Sequence, residues 1–97
     1  MALVKLTGPT TKVQALTTSY LGAGNEVQIR GGRHIQIWCD DDARVLTVQH
    51  QAPGGGQIEA PGLSAKDVWT IDKAPSTELL IDIKADSGTP NANILVT

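Results

Sequence analysis

Three aspartates follow directly on the only cysteine, at residues 39 to 42, within the stretch Trp38-Cys39-Asp40-Asp41-Asp42-Ala43-Arg44-Val45. A thiol beside carboxylates suggests three chemistries: a nucleophile, a soft metal ligand, or an oxygen cage for a hard cation. Residue type and spacing weigh each of them. A thiolate next to like charges is disfavoured, so the aspartates raise the thiol pKa and oppose a nucleophilic Cys39. A calcium loop sets its oxygen ligands at alternating positions and turns on a glycine, and Asp40-Asp41-Asp42-Ala43-Arg44 does neither. Zinc needs converging ligands, and His34, His50 and Cys39 have no recognised spacing. The stretch reads as a charged hairpin loop, with Cys39 a small buried hydrophobe on the face of Ile35 and Ile37.

The other reactive side chains are no better placed. His34 and His50 are expected near the outer ends of hairpin-forming strands, close to each other in space, and read as surface imidazoles. Serines and threonines abound, yet no Gly-x-Ser-x-Gly elbow is present. Residues 54–57, GGGQ, lack the Lys-Ser/Thr and the helix that a phosphate cradle requires. The sequence assigns no catalytic residue, no metal ligand and no cofactor.

The elements that would carry any site are strands. Residues 26–30 (EVQIR), 34–39 (HIQIWC) and 44–50 (RVLTVQH) alternate apolar and polar side chains, and turn residues separate them. Their spacing predicts an antiparallel meander or part of one. Weaker strands are expected at 12–16, with Val13 and Ala15 inward, at 57–60 and at 68–71, with one helical turn at 64–66 before the last. The clearest strand is 78–85, where Leu79, Ile81 and Ile83 share a face opposite Glu78, Asp82 and Lys84. A last strand is expected at 93–97. Residues 51–62 hold two prolines and four glycines, the composition of a long crossing or binding loop.

No segment of ten residues carries the 3.6-residue helical period. Seven to nine short antiparallel strands with Gly/Pro/Asn/Asp punctuation predict an all-β fold, a β-sandwich or jelly-roll-like barrel. Residues 1–12 are expected as an N-terminal arm bent at Gly8-Pro9, and residues 13–97 as a single domain.

Composition narrows the class. The chain has 97 residues, two Trp, one Tyr and no Phe, so its core must be aliphatic. A domain of this size buries roughly 65% of its extended surface. The net charge is −2, with the basic residues scattered rather than striped, which argues against nucleic acid. A single cysteine permits no internal disulfide, as suits synthesis in a reducing cytoplasm. No signal peptide is visible, and no apolar stretch approaches the ~18 residues of a membrane span.

The order of these segments resembles the small all-β head decoration, or cement, proteins of tailed bacteriophages. An arm leads into TTSYLGAGNEVQI, then IQIWCDDDARV, the Gly/Pro loop QAPGGGQIEAPGLSAKDVWTI, and ELLIDIKADSGTPNANILVT. The resemblance is one of plan, without a diagnostic short motif. It implies a non-enzymatic virion protein that sits as a homotrimer on the capsid surface and clamps the major capsid protein. Leu3, Val4, Lys5 and Leu6 of the arm, with Trp38 and Trp69, are the expected capsid or subunit contacts. A carbohydrate- or receptor-binding β-sandwich module, using the 51–62 loop and the tryptophans, is the alternative. A small jelly-roll enzyme would need two histidines and a glutamate converging from neighbouring strands, which this pattern does not supply.

Overall fold

The computed structural model describes residues 4–22, 24–41, 43–51, 57–60, 67–73, 76 and 78–97. They form nine strands: β1 (Val4–Leu6), β2 (Thr10–Ala15), β3 (Val27–Ile29), β4 (His34–Cys39), β5 (Leu46–Gln51), β6 (Gln57–Ala60), β7 (Trp69–Asp72), β8 (Leu79–Ala85) and β9 (Asn91–Val96). No helix occurs among the described residues. The strands divide into a five-stranded sheet, in the order β1-β3-β8-β5-β6, and a four-stranded sheet, in the order β2-β9-β4-β7.

The pairing has a simple rule. β2 pairs with β9, β3 with β8, β4 with β7, and β5 with β6, all antiparallel. A long two-armed ribbon with the β5–β6 hairpin at its tip gives this pattern. Rolling the ribbon sends successive rungs alternately into one sheet and the other. That is the jelly roll, one of the two-sheet solutions to covering strands apolar on one face.

This topology corrects two expectations. The segments around β3, β4 and β5 do not form a meander: β3 and β5 flank β8 in one sheet, while β4 lies in the other between β9 and β7. Each is hydrogen-bonded along an edge to a strand far along the chain, β3 and β5 to β8 and β4 to β9, so local turns fix only where each strand ends. Nor are all strands antiparallel. β1 adds to the edge beside β3 in parallel, Val4 against Val27 and Leu6 against Ile29.

The segment read as an arm takes part in both sheets. Residues 4–6 are β1, and residues 10–12 open β2, which pairs with β9 from Thr10 opposite Val96 to Ala15 opposite Asn91. The turn between them packs tightly. A Cβ built on Gly31 would stand 2.4 Å from the Gly8 backbone nitrogen, so only glycine lets the β1–β2 and β3–β4 turns touch. The expected helical turn at 64–66 lies outside the described residues.

The core is aliphatic, as a chain without Phe requires. Val27, Ile29, Ile35, Ile37, Val48, Ile81, Ile83, Ala92 and Val96 are completely buried, and Leu16, Leu46 and Ile94 nearly so. Each Ile or Val removed from water contributes about 1.5–3 kcal/mol before chain entropy is counted. The strand faces follow the sequence in β4 and β8 but not in β2. There Val13 and Ala15 are exposed, and Thr10, Lys12 and Gln14 are half-buried. β2 is an edge strand in register with Ala92, Ile94 and Val96. Its inner face meets the rim of the core, where polar side chains with aliphatic stems suffice.

Candidate functional site

The acidic loop joins β4 to β5 and is locked against the β8–β9 turn. Asp40 accepts hydrogen bonds from the Asn91 backbone N–H at 2.9 Å and from Asn91 Nδ2 at 3.1 Å, while its own N–H donates to Asn91 O at 3.0 Å. Asp41 Oδ1 accepts from the Ala43 N–H at 2.9 Å, an Asx-type turn, and Oδ2 faces Arg44 Nε at 3.4 Å. Arg44 in turn donates to Ser87 Oγ at 2.6 Å, and Asp86 Oδ1 accepts from the Val45 N–H at 3.1 Å. An open groove between these two loops is lined by Asp40, Asp41, Arg44, Gly88, Thr89, Pro90 and Asn91. Its carboxylates hold the loops together. Asp42 lies outside the described residues, and among those described no three His, Cys, Asp or Glu side chains gather as metal ligands.

Cys39 packs partly buried against the core, opposite Ala92. Burial pushes its thiol pKa up, and the charges of Asp40, Asp41 and Asp86 add to the rise. The Asp41 N–H, at 3.4 Å from Sγ, acts the other way. The expected direction holds, with burial rather than the aspartates as its largest cause.

The two histidines do not pair. His34, in β4, sets Nδ1 2.5 Å from Asp72 Oδ1 on the neighbouring β7. His50, in β5 of the other sheet, packs its ring against Trp69, with centroids 5.7 Å apart and planes tilted by 54°.

The expected contact residues separate into surface and core. Trp69 is only 7% exposed and Leu6 only 8%, and both belong to the core cluster. Neither offers a surface to a partner. Trp69 and Ile71 alternate inward on β7, and that parity was readable in the sequence. Lys5 is exposed on the outer side of β1, and Val4 pairs with Val27. Leu3 lies outside the described residues, as do 52–56 and 61–62 of the Gly/Pro loop. Trp38 is half-buried on the outer face of the four-stranded sheet.

That outer face has a definite composition. Strand register puts Val13, Asn93 and Trp38 in one row across β2, β9 and β4, and Thr11, Leu95, Gln36 and Thr70 in the next. Ala15 and Asn91 complete the neighbouring row. Every one of these side chains is uncharged, and Val13 is 57% exposed. Among the described residues, charges appear only at the ends of the face, as Asp72 beside His34 and as Asp40.

The opposite face is built differently. The chain from β2 to β3 crosses it as a strap. The Leu21 and Gly22 N–H groups donate to the carboxylate of buried Asp82 at 2.5 and 3.0 Å. Tyr20 Oη donates to Glu59 Oε2 at 2.5 Å, and Lys84 Nζ sits 4.6 Å from the Tyr20 ring centroid. Burial, then the Glu59 hydrogen bond, push the Tyr20 hydroxyl pKa well above its usual range. Gln28, also buried, donates Nε2–H to Glu78, which Arg30 Nε approaches at 3.4 Å. One broad face is thus strapped and charged, and the other is neutral and carries Trp38, Leu95 and Val13.

No protein-family model matches this chain, and no curated protein is similar to it in sequence. The neutral sheet face is the candidate functional surface. Sequence reasoning found Trp38 but missed Val13 and Leu95, which its alternation counting had turned inward or left unplaced.

Proposed function

We propose that this chain is a non-enzymatic structural protein of a phage virion, which docks on the outer capsid surface and reinforces it. The observation that carries the reading is the neutral outer face of the β2-β9-β4-β7 sheet, with Trp38 on the inner strand β4, Leu95 on β9 and Val13 on β2. Interfaces characteristically place an aromatic anchor among uncharged side chains and keep their charges to the rim. Here the rim is His34–Asp72 on one side and Asp40 on the other. The partner is the major capsid protein, with three copies grouped around a threefold position of the shell. The protein is made in the host cytoplasm and ends in the virion.

The test is co-sedimentation of purified protein with heads assembled without it. The wild-type chain is expected to pellet with the shells at a fixed ratio and to raise their resistance to heat. Trp38→Lys and Leu95→Lys, both on the outer face, are expected to keep the fold and lose about tenfold or more in shell affinity, as for anchor residues. Equal binding by wild type and both variants would refute this docking face.

The same face supports a second reading. Trp38 stands beside Asn91, Asn93 and Gln36, and an aromatic ring with neighbouring amides suits a sugar. Glycan-array binding that Trp38→Ala abolishes, with no affinity for shells, would select that reading.

A further inference from the structure

We propose that β2 is a self-association edge, along which two copies of this chain pair antiparallel about a twofold axis with Val13 of one opposite Val13 of the other. The pairing would join two four-stranded sheets into one of eight strands. It stands on the edge geometry alone and goes beyond the shell-docking reading.

The two sheets expose four edge strands: β1 of three residues, β6 and β7 of four, and β2 of six. β2 is the longest. The Leu16 N–H donates to Pro90 O at 3.0 Å, in register with the β2–β9 ladder. A residue's N–H and C=O point to the same side of a strand, so Thr10, Lys12 and Gln14 face β9. Thr11, Val13 and Ala15 therefore aim their peptide groups outward. Those of Thr11 and Val13 find no hydrogen-bond partner among the described residues, and the Ala15 carbonyl accepts only from the exposed Gln14 Nε2, at 3.1 Å. A row of this kind is a template for another strand.

Charge and backbone chemistry choose the register. With Val13 opposite Val13, Thr11 meets Ala15 on the outer face and Lys12 meets Gln14 on the inner face, with no like charges opposed. Sliding by two residues would set Lys12 against Lys12, which is destabilising. It would also set Pro9, which has no N–H, against Ala15. Sliding the other way leaves fewer outward groups paired. The twofold axis runs perpendicular to the sheet, so both outer faces point the same way. The pair presents two Trp38–Leu95–Val13 patches on one surface, and contacts between copies in adjacent threefold groups would follow.

Sedimentation velocity over a concentration series tests this on the intact chain. The wild type is expected to pass from monomer to dimer, with the modest affinity of a small strand-edge contact. Val13→Lys opposes two ammonium groups across the axis and is expected to weaken dimerisation about tenfold or more. Val13 is 57% exposed, so this variant is expected to keep the wild-type circular dichroism spectrum. Independently, Val13→Cys in a Cys39→Ala background is expected to oxidise to a covalent dimer, because directly opposed strand residues lie within disulfide reach. A wild type that stays monomeric up to roughly 1 mM, or a Val13→Lys variant that associates as strongly as wild type, overturns the proposal. Shell binding by a chain that never dimerises would leave the docking reading standing and remove this one.

Discussion

The Asp82 carboxylate of β8 holds the Leu21 N–H at 2.5 Å, although the two residues are sixty-one positions apart. With the Gly22 N–H at 3.0 Å and its own neighbour's, Ile83, at 2.9 Å, the carboxylate satisfies three backbone donors. A central strand thereby fixes the strap that covers its outer face. Asp82→Ala is expected to lower stability by about 2–3 kcal/mol, because one buried and two partly buried N–H groups lose their acceptor. Asp82→Asn keeps one acceptor oxygen and is expected to cost about half as much. Urea denaturation measures both, and amide exchange at Leu21 and Gly22 should accelerate before that of β8.

The contact of the two turns at one end of the sandwich predicts a contrast between glycines. Gly24, with φ +83°, has nothing within 4 Å of an added Cβ, so Gly24→Ala costs only backbone strain, about 1 kcal/mol. Gly31→Ala would drive a methyl into the Gly8 backbone at 2.4 Å, so one turn must move. It is expected to cost at least about twice as much, as read from thermal melting of the two variants.

Asp41 closes a local turn and faces Arg44 at the protein surface. Asp41→Ala is expected to cost no more than about 1 kcal/mol, the range of such turns and exposed ion pairs. Calcium should leave the difference between the two melting curves unchanged. A calcium-dependent gap would return the aspartates to consideration as ligands.

The raised thiol pKa of Cys39 gives a signed pH effect. Above its ordinary value of 9.0, the unfolded chain loses a proton that the folded chain keeps, so stability falls as pH rises through that window. Cys39→Ser has no group titrating there and should show a correspondingly smaller alkaline loss. Denaturant titrations at pH 7.5 and pH 10 measure the difference. Alkylation of the native thiol should also be slow at neutral pH, and fast only in denaturant.

Ile81 is completely buried at the middle of β8, opposite Val27 and His50. Ile81→Asp would place an unpaired carboxylate there, at a cost of several kcal/mol that a thin core cannot absorb. The variant is expected to lose its folded circular dichroism signal at 25 °C.

Much of the secondary structure was legible because alternation is local. Residues 34–39 are β4 as expected, and the expected 78–85 strand begins at Leu79. Pairing was mostly not legible, because every rung except the β5–β6 hairpin joins residues far apart, such as Ile29 and Leu79. Strong alternation therefore suggested a meander where the chain changes sheets at each turn. The facing of β2 failed for a related reason. Its register is dictated by β9, and a rim position rewards the stems of Lys12 and Gln14 as well as a small Val13. Trp38 was identifiable as a partly exposed aromatic by parity with Gln36. Its companions Val13 and Leu95 became neighbours only through the β2–β9–β4 ladder.

Both sheets draw their spines from late in the sequence. β8 is the middle strand of one, and β9 lies between β2 and β4 in the other, so residues 79–96 complete both at once. A chain leaving the ribosome could pair β1 with β3, β4 with β7 and β5 with β6, but neither sheet could be joined into one until that stretch emerged. Folding should then be post-translational and abrupt, and a premature stop before residue 79 should leave a protease substrate instead of a smaller domain.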